Sequence, residues 1–293
     1  MNLGEYAVVK ADKELFAVYQ TVYANADTNL QFDWKRRLGD TTWSDDCHWV
    51  MQGEQKIGGI ILMEDAAWFA FLIAPFADRA LFWRIVHAHI KRNGLPITKM
   101  LGVLDCDVDV LQTHGYKVGM ARRMMCRPTD RFALSLDSKF ISRAPIPVQD
   151  VSAIVTVNEE GYKGSIDYEV FGIATREEIE RDINFFLGIY AETGTLNQSS
   201  LVFEKSTDEL VGICMAGKDP KNRDWVSGVS DITVLPAYRG CGIAEFMQKN
   251  ALTEARKTSQ LMELCVTVGN SAENLYRKLG FWGGPKFTAM SLR

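Results

Sequence analysis

Ile232-Thr233-Val234-Leu235-Pro236-Ala237-Tyr238-Arg239-Gly240-Cys241-Gly242-Ile243-Ala244 is the stretch on which the fold of this chain turns. Ile232, Thr233 and Val234 are β-branched and predict a strand. Pro236 ends it, because proline has no N–H to give to a ladder. Gly240 and Gly242 follow in a turn, where a missing side chain lets a ligand approach the backbone. Ile243, Phe246, Met247, Ala251 and Ala255 then recur on one face at helical spacing. A strand, a glycine turn and a helix start leave free N–H groups at the helix N-terminus, which suit phosphate oxygens. Arg239 adds a permanent positive charge beside them. The spacing Arg-x-x-Gly-x-Ala (Arg239, Gly242, Ala244) is neither the three-glycine dinucleotide fingerprint nor the P-loop, which needs Gly-Lys-Ser/Thr. Taken alone, the stretch fits an anion cradle and a ligand-free tight turn equally well.

The rest of the chain narrows the choice. Its 293 residues are 47% hydrophobic, enough for two cored domains rather than one. Charged residues are 24% with a formal net charge of −4, and no run of like charge stands out. Neither a nucleic-acid surface nor a disordered tail is expected. Six cysteines lack C-x-x-C pairs and histidine partners at metal spacing, so no metal site is expected. Cys214 and Cys265 lie in apolar runs and read as buried small side chains. The four histidines read as satisfied or surface residues. Residues 1–20 carry Glu5, Lys10, Asp12, Lys13 and Glu14 and have no apolar core, so no signal peptide is expected. No apolar run reaches membrane-spanning length. A reducing, cytoplasmic setting is the expectation.

In chain order, the pattern predicts a strand over 6–9, a helix over 15–23 and a hairpin over 48–63 turning at Gln52-Gly53-Glu54. A strand over 67–74, a helix over 80–90, a strand over 98–104, a helix over 108–113 and a strand over 116–125 follow. Arg127-Pro128-Thr129-Asp130 and Pro145-Ile146-Pro147 interrupt the pattern, and a domain boundary at 135–136 is expected between them. The series then restarts: helices over 150–160 and 176–190, a hairpin over 200–216, strand 225–235, the glycine turn and its helix, strand 262–268, helix 271–279 and a last strand near 287–292.

The halves echo one another. Leu210-Val211-Gly212-Ile213 matches Ile57-Gly58-Gly59-Ile60, Pro236 matches Pro75, and Leu279-Gly280-Phe281 matches His114-Gly115-Tyr116. An internal duplication is the reading. The copies differ where chemistry would sit. Phe76-Ala77-Asp78-Arg79-Ala80 has no glycine in place of the cradle, and Leu111 stands where the second half has Tyr276.

Two motifs of the second half together resemble the GNAT superfamily of N-acetyltransferases. Val234 to Ala244 is similar to that family's acetyl-CoA pyrophosphate loop. Gly269-Asn270-Ser271-Ala272-Glu273-Asn274-Leu275-Tyr276-Arg277-Lys278-Leu279-Gly280-Phe281 is similar to its second cofactor motif. The resemblance covers residues from about 140 onward. It implies an α+β fold of two tandem GNAT-like domains, each a mixed, mostly antiparallel twisted sheet flanked by helices. Residues 1–135 would be a degenerate copy without the CoA loop, and 136–293 the catalytic domain.

The resemblance further implies transfer of an acetyl group from acetyl-CoA to a primary amine of a small molecule or peptide, by direct attack. Arg239, Gly240, Cys241, Gly242, Ile243 and Ala244 would hold the pyrophosphate. The backbone of Thr233 and Val234 would take the pantetheine arm, and Asn270 would be a further ligand. Tyr276 would protonate the leaving thiolate, or else wall the cofactor as an aromatic. Asp231 is the in-strand choice for a base, or else a strand-end residue binding nearby backbone or substrate. The segment around Gly161-Tyr162-Lys163-Gly164, Asp167, Tyr168 and Phe171 would line the acceptor cleft. A homodimer is possible, with no nucleic-acid or membrane partner. The alternative is a non-catalytic acyl-CoA-binding sensor or scaffold module.

Overall fold

The computed structural model describes residues 4–24, 45–171, 175–219 and 224–292, with the side chains at 169–171 outside that description. Among the described residues no helix is long and apolar enough to cross a membrane. They also hold no metal-competent cluster of His, Cys, Asp and Glu. The chain divides into two compact units, residues 1–123 with 284–293, and residues 124–283. The expected boundary at 135–136 is therefore displaced. Strand pairing decides it. The strand that begins at Tyr116 runs on to Pro128 without a turn, and the breaks that follow come after the division.

The first unit holds β1 (Tyr6–Lys10), β2 (Cys47–Gln52), β3 (Gln55–Met63), β4 (Ala66–Leu72), β5 (Lys99–Leu104) and the start of β6 (Tyr116–Pro128). It also takes most of the last strand, β12 (Trp282–Leu292). The strand order is β1-β2-β3-β4-β5-β12-β6. Its helices are α1 (Lys13–Tyr23), α2 (Arg79–Arg92) and α3 (Asp105–Thr113). Phe82, Trp83, Ile85, Val86 and Ile90 recur on one face of α2 and bury against Ile57, Ile60, Met100 and Leu111.

The second unit has the order β6-β11-β10-β9-β8-β7. Its strands are the end of β6, β7 (Phe140–Arg143), β8 (Ser200–Glu204), β9 (Glu209–Gly217), β10 (Val226–Val234) and β11 (Leu261–Thr267). Helices α4 (Val151–Tyr162), α5 (Ile166–Phe171), α6 (Arg176–Glu192), α7 (Ile243–Ala255) and α8 (Ala272–Lys278) complete it. The duplicated order read from the sequence is present, and so are most expected elements. β7 and α5 were not anticipated. Four to six residues carry too little periodicity to be distinguished from loop.

A Thr175–Glu178 capping box starts α6. At the head of α4, Asp150 is nearly buried and forked by Arg143 at 2.6 and 2.7 Å. Cys214 is fully buried in β9 as expected, but Cys265 in β11 is only partly so.

One irregularity positions the site. β10 pairs with β11 in parallel only over Val226–Val229, while its antiparallel pairing with β9 continues to Val234. A bulge between Val229 and Asp231 marks the change. From Asp231 on, one edge of β10 is therefore open.

Candidate active site

The open edge of β10, the glycine turn and the start of α8 surround a cavity of about 580 Å³. Ile232, Thr233, Val234, Arg239, Ala244, Asn270, Leu275 and Tyr276 line it, with Gly161, Tyr162 and Asp167 from the α4–α5 corner. A second hollow of about 290 Å³ shares Val234, Arg239, Ala244 and Leu275 with it and runs past Gly240 and Gly242.

The turn is built as its residues require. Gly240 and Gly242 take φ of +80° and +78°, which an L-side chain adopts only under strain. Gly242 is the N-cap of α7 and so brings no side chain to close the helix end. The first helical bond runs from the Phe246 amide to the Gly242 carbonyl at 2.9 Å. The amides of Ile243, Ala244 and Glu245 precede it and have no carbonyl behind them in the helix. Ile243 is buried and anchors the turn, whereas Cys241 is exposed.

The Arg239 guanidinium is held by two backbone carbonyls. Its Nη2 donates to the Gly161 carbonyl at 2.6 Å and its Nε to the Val234 carbonyl at 3.3 Å. The guanidinium thus ties the glycine turn to the end of α4, with its charge still beside the cavity.

Thr233 and Val234 part company. The Leu235 amide donates to the Val211 carbonyl at 2.9 Å. By the alternation of an antiparallel ladder, Thr233 also turns its backbone groups to β9, and Val234 turns its own to the open side. Of the two residues expected to present backbone to a ligand, only Val234 turns its N–H to the open side. The Thr233 methyl instead packs against Gly161, where a Cβ would lie 2.0 Å away. That close approach lets the end of α4 press on β10.

It also delivers Tyr162 to Asp231. The Tyr162 hydroxyl donates to Asp231 Oδ1 at 2.6 Å, Thr233 Oγ1 donates to the same oxygen at 3.4 Å, and Asn158 Nδ2 donates to Oδ2. Burial pushes the Asp231 carboxyl up to about 6, although the hydrogen bonds oppose the shift. Burial, then the Asp231 charge, pushes the Tyr162 phenol far above its ordinary value.

Tyr276 is 5% exposed on α8, packs its ring on Phe281 at 5.9 Å and faces the cavity. Its hydroxyl has no hydrogen-bond partner among the described residues. Burial, reinforced by Cys214, Asp231 and Asp167, raises its pKa.

Asn270 is engaged at both ends. Its Oδ1 accepts from the Ala272 amide at 2.8 Å and its Nδ2 donates to Asp167 Oδ2 at 2.7 Å. It forms an Asx turn just ahead of α8 and holds α5 through Asp167. Thr267 donates to the other Asp167 oxygen. Asn158 and Thr267 escaped the sequence reading. Asn158 left one signal: it is a polar residue on the apolar stripe Val151–Ile154–Val155. Phe171 ends α5, with its side chain outside the described residues.

The matching corner of the first unit is closed. Asp78 caps α2, accepting from the Leu81 amide at 2.9 Å, so a carboxylate occupies the helix end that Gly242 leaves open in α7. Phe69, at φ +44°, lays its ring where a Cβ of Gly102 would be. Leu111, opposite number of Tyr276, is fully buried.

Residues 168–281 match the family model described as the Acetyltransferase (GNAT) family. The chain carries a GNAT-family domain. Among solved structures, a GCN5-related N-acetyltransferase from Sphaerobacter thermophilus superposes with a TM-score of 0.71 at 14% identity, over 99% of this chain and 96% of that one. A tandem GNAT protein from the clavulanic acid biosynthesis pathway gives 0.59 at 13%, over 98% of both chains. A GNAT-family acetyltransferase from Colwellia psychrerythraea gives 0.57 at 11%, over 98% of both. At these identities the superpositions show the fold alone: two tandem GNAT-like domains, each with a mixed, mostly antiparallel sheet flanked by helices. No curated protein matches the chain.

Proposed function

We propose that the second GNAT domain transfers an acetyl group from acetyl-CoA to a primary amine, and that the first has lost this chemistry. One observation carries the reading. The uncapped N-terminus of α7, the open edge of β10 at Val234 and the phenol of Tyr276 all face the same connected hollow.

The residues fit the co-substrate. The amides of Gly242–Glu245 and the positive end of the α7 dipole suit a diphosphate. Gly240, Cys241, Ile243 and Ala244 shape that loop, and Arg239 holds it while adding positive charge. The Val234 edge suits an extended amide-bearing arm, which would add to β10 as a strand does. Asn270 serves by fixing α8, not as a ligand. Acetyl-CoA would supply an activated acetyl thioester.

The remaining chemistry belongs to the chain. An amine attacks only when neutral, so its proton must leave. With its pKa near 6, Asp231 is ionised at neutral pH yet a stronger base than a solvated carboxylate. The Val234 N–H is a fixed donor on the open edge, of the kind that stabilises a developing oxyanion. Tyr276, which lines the cavity, keeps its proton at working pH and would give it from Oη to a leaving thiolate. The α4–α5 corner, with Tyr162 and Asp167, would be the acceptor's side.

The test is calorimetry with CoA, followed by a screen of amines, amino acids, aminoglycosides and peptides for release of free CoA. Amine-dependent release supports the proposal. No heat of binding would sink it. Binding without release under any amine would leave an acyl-CoA-binding module in its place.

A further inference from the structure

We propose that Tyr162 is the residue that meets the acceptor amine, and that it relays the amine's proton to Asp231. This rests on the acetyl-transfer reading and adds a residue to it. The difference in position between the two side chains carries the inference. Tyr162 lines the cavity; Asp231 does not. Asp231 lies behind, with Oδ1 covered by the Tyr162 hydroxyl at 2.6 Å and by Thr233 Oγ1 at 3.4 Å. Asn158 covers Oδ2. An amine in the cavity therefore meets the phenol oxygen before it meets a carboxylate oxygen.

The relay balances. The acceptor arrives as an ammonium. One N–H proton passes to a lone pair of Tyr162 Oη while the Oη–H proton passes to Asp231 Oδ1. The phenol is restored, the carboxylate becomes a carboxylic acid, and the nitrogen regains its lone pair for attack on the thioester carbon. The acid returns its proton to water between turnovers. Neither phenolate nor free ammonium need persist in the buried site, where each would be costly.

The surroundings leave Asp231 as the terminus. Facing it are Asp167 from α5, Cys214 from β9, Tyr190 from α6 and Tyr276 from α8. Asp167 is already held by Thr267 and Asn270. Burial raises the pKa of Cys214, Tyr190 and Tyr276, so those three stay neutral.

Two measurements on the full chain decide the matter. The first uses the amine of fastest CoA release in the screen above, with wild type and Tyr162→Phe compared in mixtures of light and heavy water. A bowed proton inventory in the wild type, with a linear one and at least tenfold lower kcat/KM in the variant, is the expected result. A linear wild-type inventory, or a variant as fast as wild type, would overturn the relay alone. The second follows the Asp231 carboxyl by carbon NMR without any ligand. Tyr162→Phe removes a donor from the carboxylate, so its titration midpoint should move up; an unmoved midpoint would also overturn the relay. Asp231→Asn should abolish both the titration and the bowed inventory. If no amine releases CoA from the wild type, the acetyl-transfer reading falls and takes the relay with it.

Discussion

Asp231 is kept where a carboxylate is uncomfortable. Its folded pKa of about 6 lies above the ordinary carboxylate value, so the folded chain binds that proton more tightly than the unfolded chain does. The stability attached to it is present at low pH and is lost as pH rises through 6, by at most about 3 kcal/mol. Asp231→Asn is thus expected to leave the thermal midpoint at pH 7.5 unchanged or higher, while kcat/KM drops and its acid limb near pH 6 disappears. A midpoint lowered by many degrees would show that the carboxylate supports the fold instead. Tyr276 makes the complementary case. It lines the cavity and its hydroxyl has no hydrogen-bond partner among the described residues, so Tyr276→Phe keeps the ring contact with Phe281 and removes only the hydroxyl. Steady-state kinetics should give a kcat lower by about 100-fold with the KM for acetyl-CoA little changed. An unaltered kcat would retire the acid role.

At the scale of elements, the two copies differ by what closes a helix end. Asp78 caps α2, whereas Gly242 leaves α7 open. A carboxylate at the second position would answer the α7 dipole and repel a diphosphate. Gly242→Asp should therefore weaken CoA binding by at least tenfold in calorimetry while circular dichroism stays that of the parent. A Cβ at Gly242 meets nothing within 4 Å, so the cost to the fold is the strain of φ +78°, about 1–2 kcal/mol. Binding as tight as the parent's would place the diphosphate elsewhere. The strand-turn-helix succession around this residue was legible because β-branched residues, proline, paired glycines and a helical apolar stripe agree on it. The splay of β10 was not. It depends on a bulge and on where β11 stops pairing, and neither leaves a mark in local composition.

For the whole molecule, two segments belong to unexpected units. Residues 124–128 end β6 in the second unit, and Gly284–Leu292 pair in the first, with Phe287 opposite Leu104 and Thr288 opposite Val103. A fragment of residues 138–293 would lose Met125 from the second core and the Thr129 bonds to Ser259 and Gln260. It is expected to be insoluble or molten, by solubility and near-ultraviolet circular dichroism; a well-folded fragment would refute that. Acid should also separate the units. All four histidines lie in the first, and each has its pKa lowered chiefly by burial. The sequence reading took them for satisfied or surface residues. His87 instead is pushed down to about 4, has a buried Nε2 without a hydrogen-bond partner among the described residues and stacks on His114 at 4.3 Å. A lowered histidine pKa favours the neutral form in the fold, so stability is lost as pH falls from about 6.5 towards 4. By pH 5, His87 should cost the first unit less than about 2 kcal/mol, because solvent reaching the half-buried ring screens the penalty. Differential scanning calorimetry at pH 7.5 and pH 5 should show an acid-shifted transition, with a smaller shift in a His87→Phe variant; coincident curves for wild type, or an equal shift in the variant, would count against it.

The resemblance to the GNAT superfamily singled out Tyr276 and Asp231; by itself the sequence determined the duplicated α+β pattern and the glycine turn before α7. Those follow from local rules: strand and helix periodicity, proline and glycine stereochemistry, and motif spacing. Only the tertiary structure decided that Val234 rather than Thr233 faces the open edge, that Asn270 ties Asp167 to the start of α8, that Arg239 braces the loop and that Tyr162 stands between Asp231 and the cavity. Each of these depends on which element lies alongside, and residues such as Gly161 and Thr233, 72 positions apart, come together only when β10 and α4 pack.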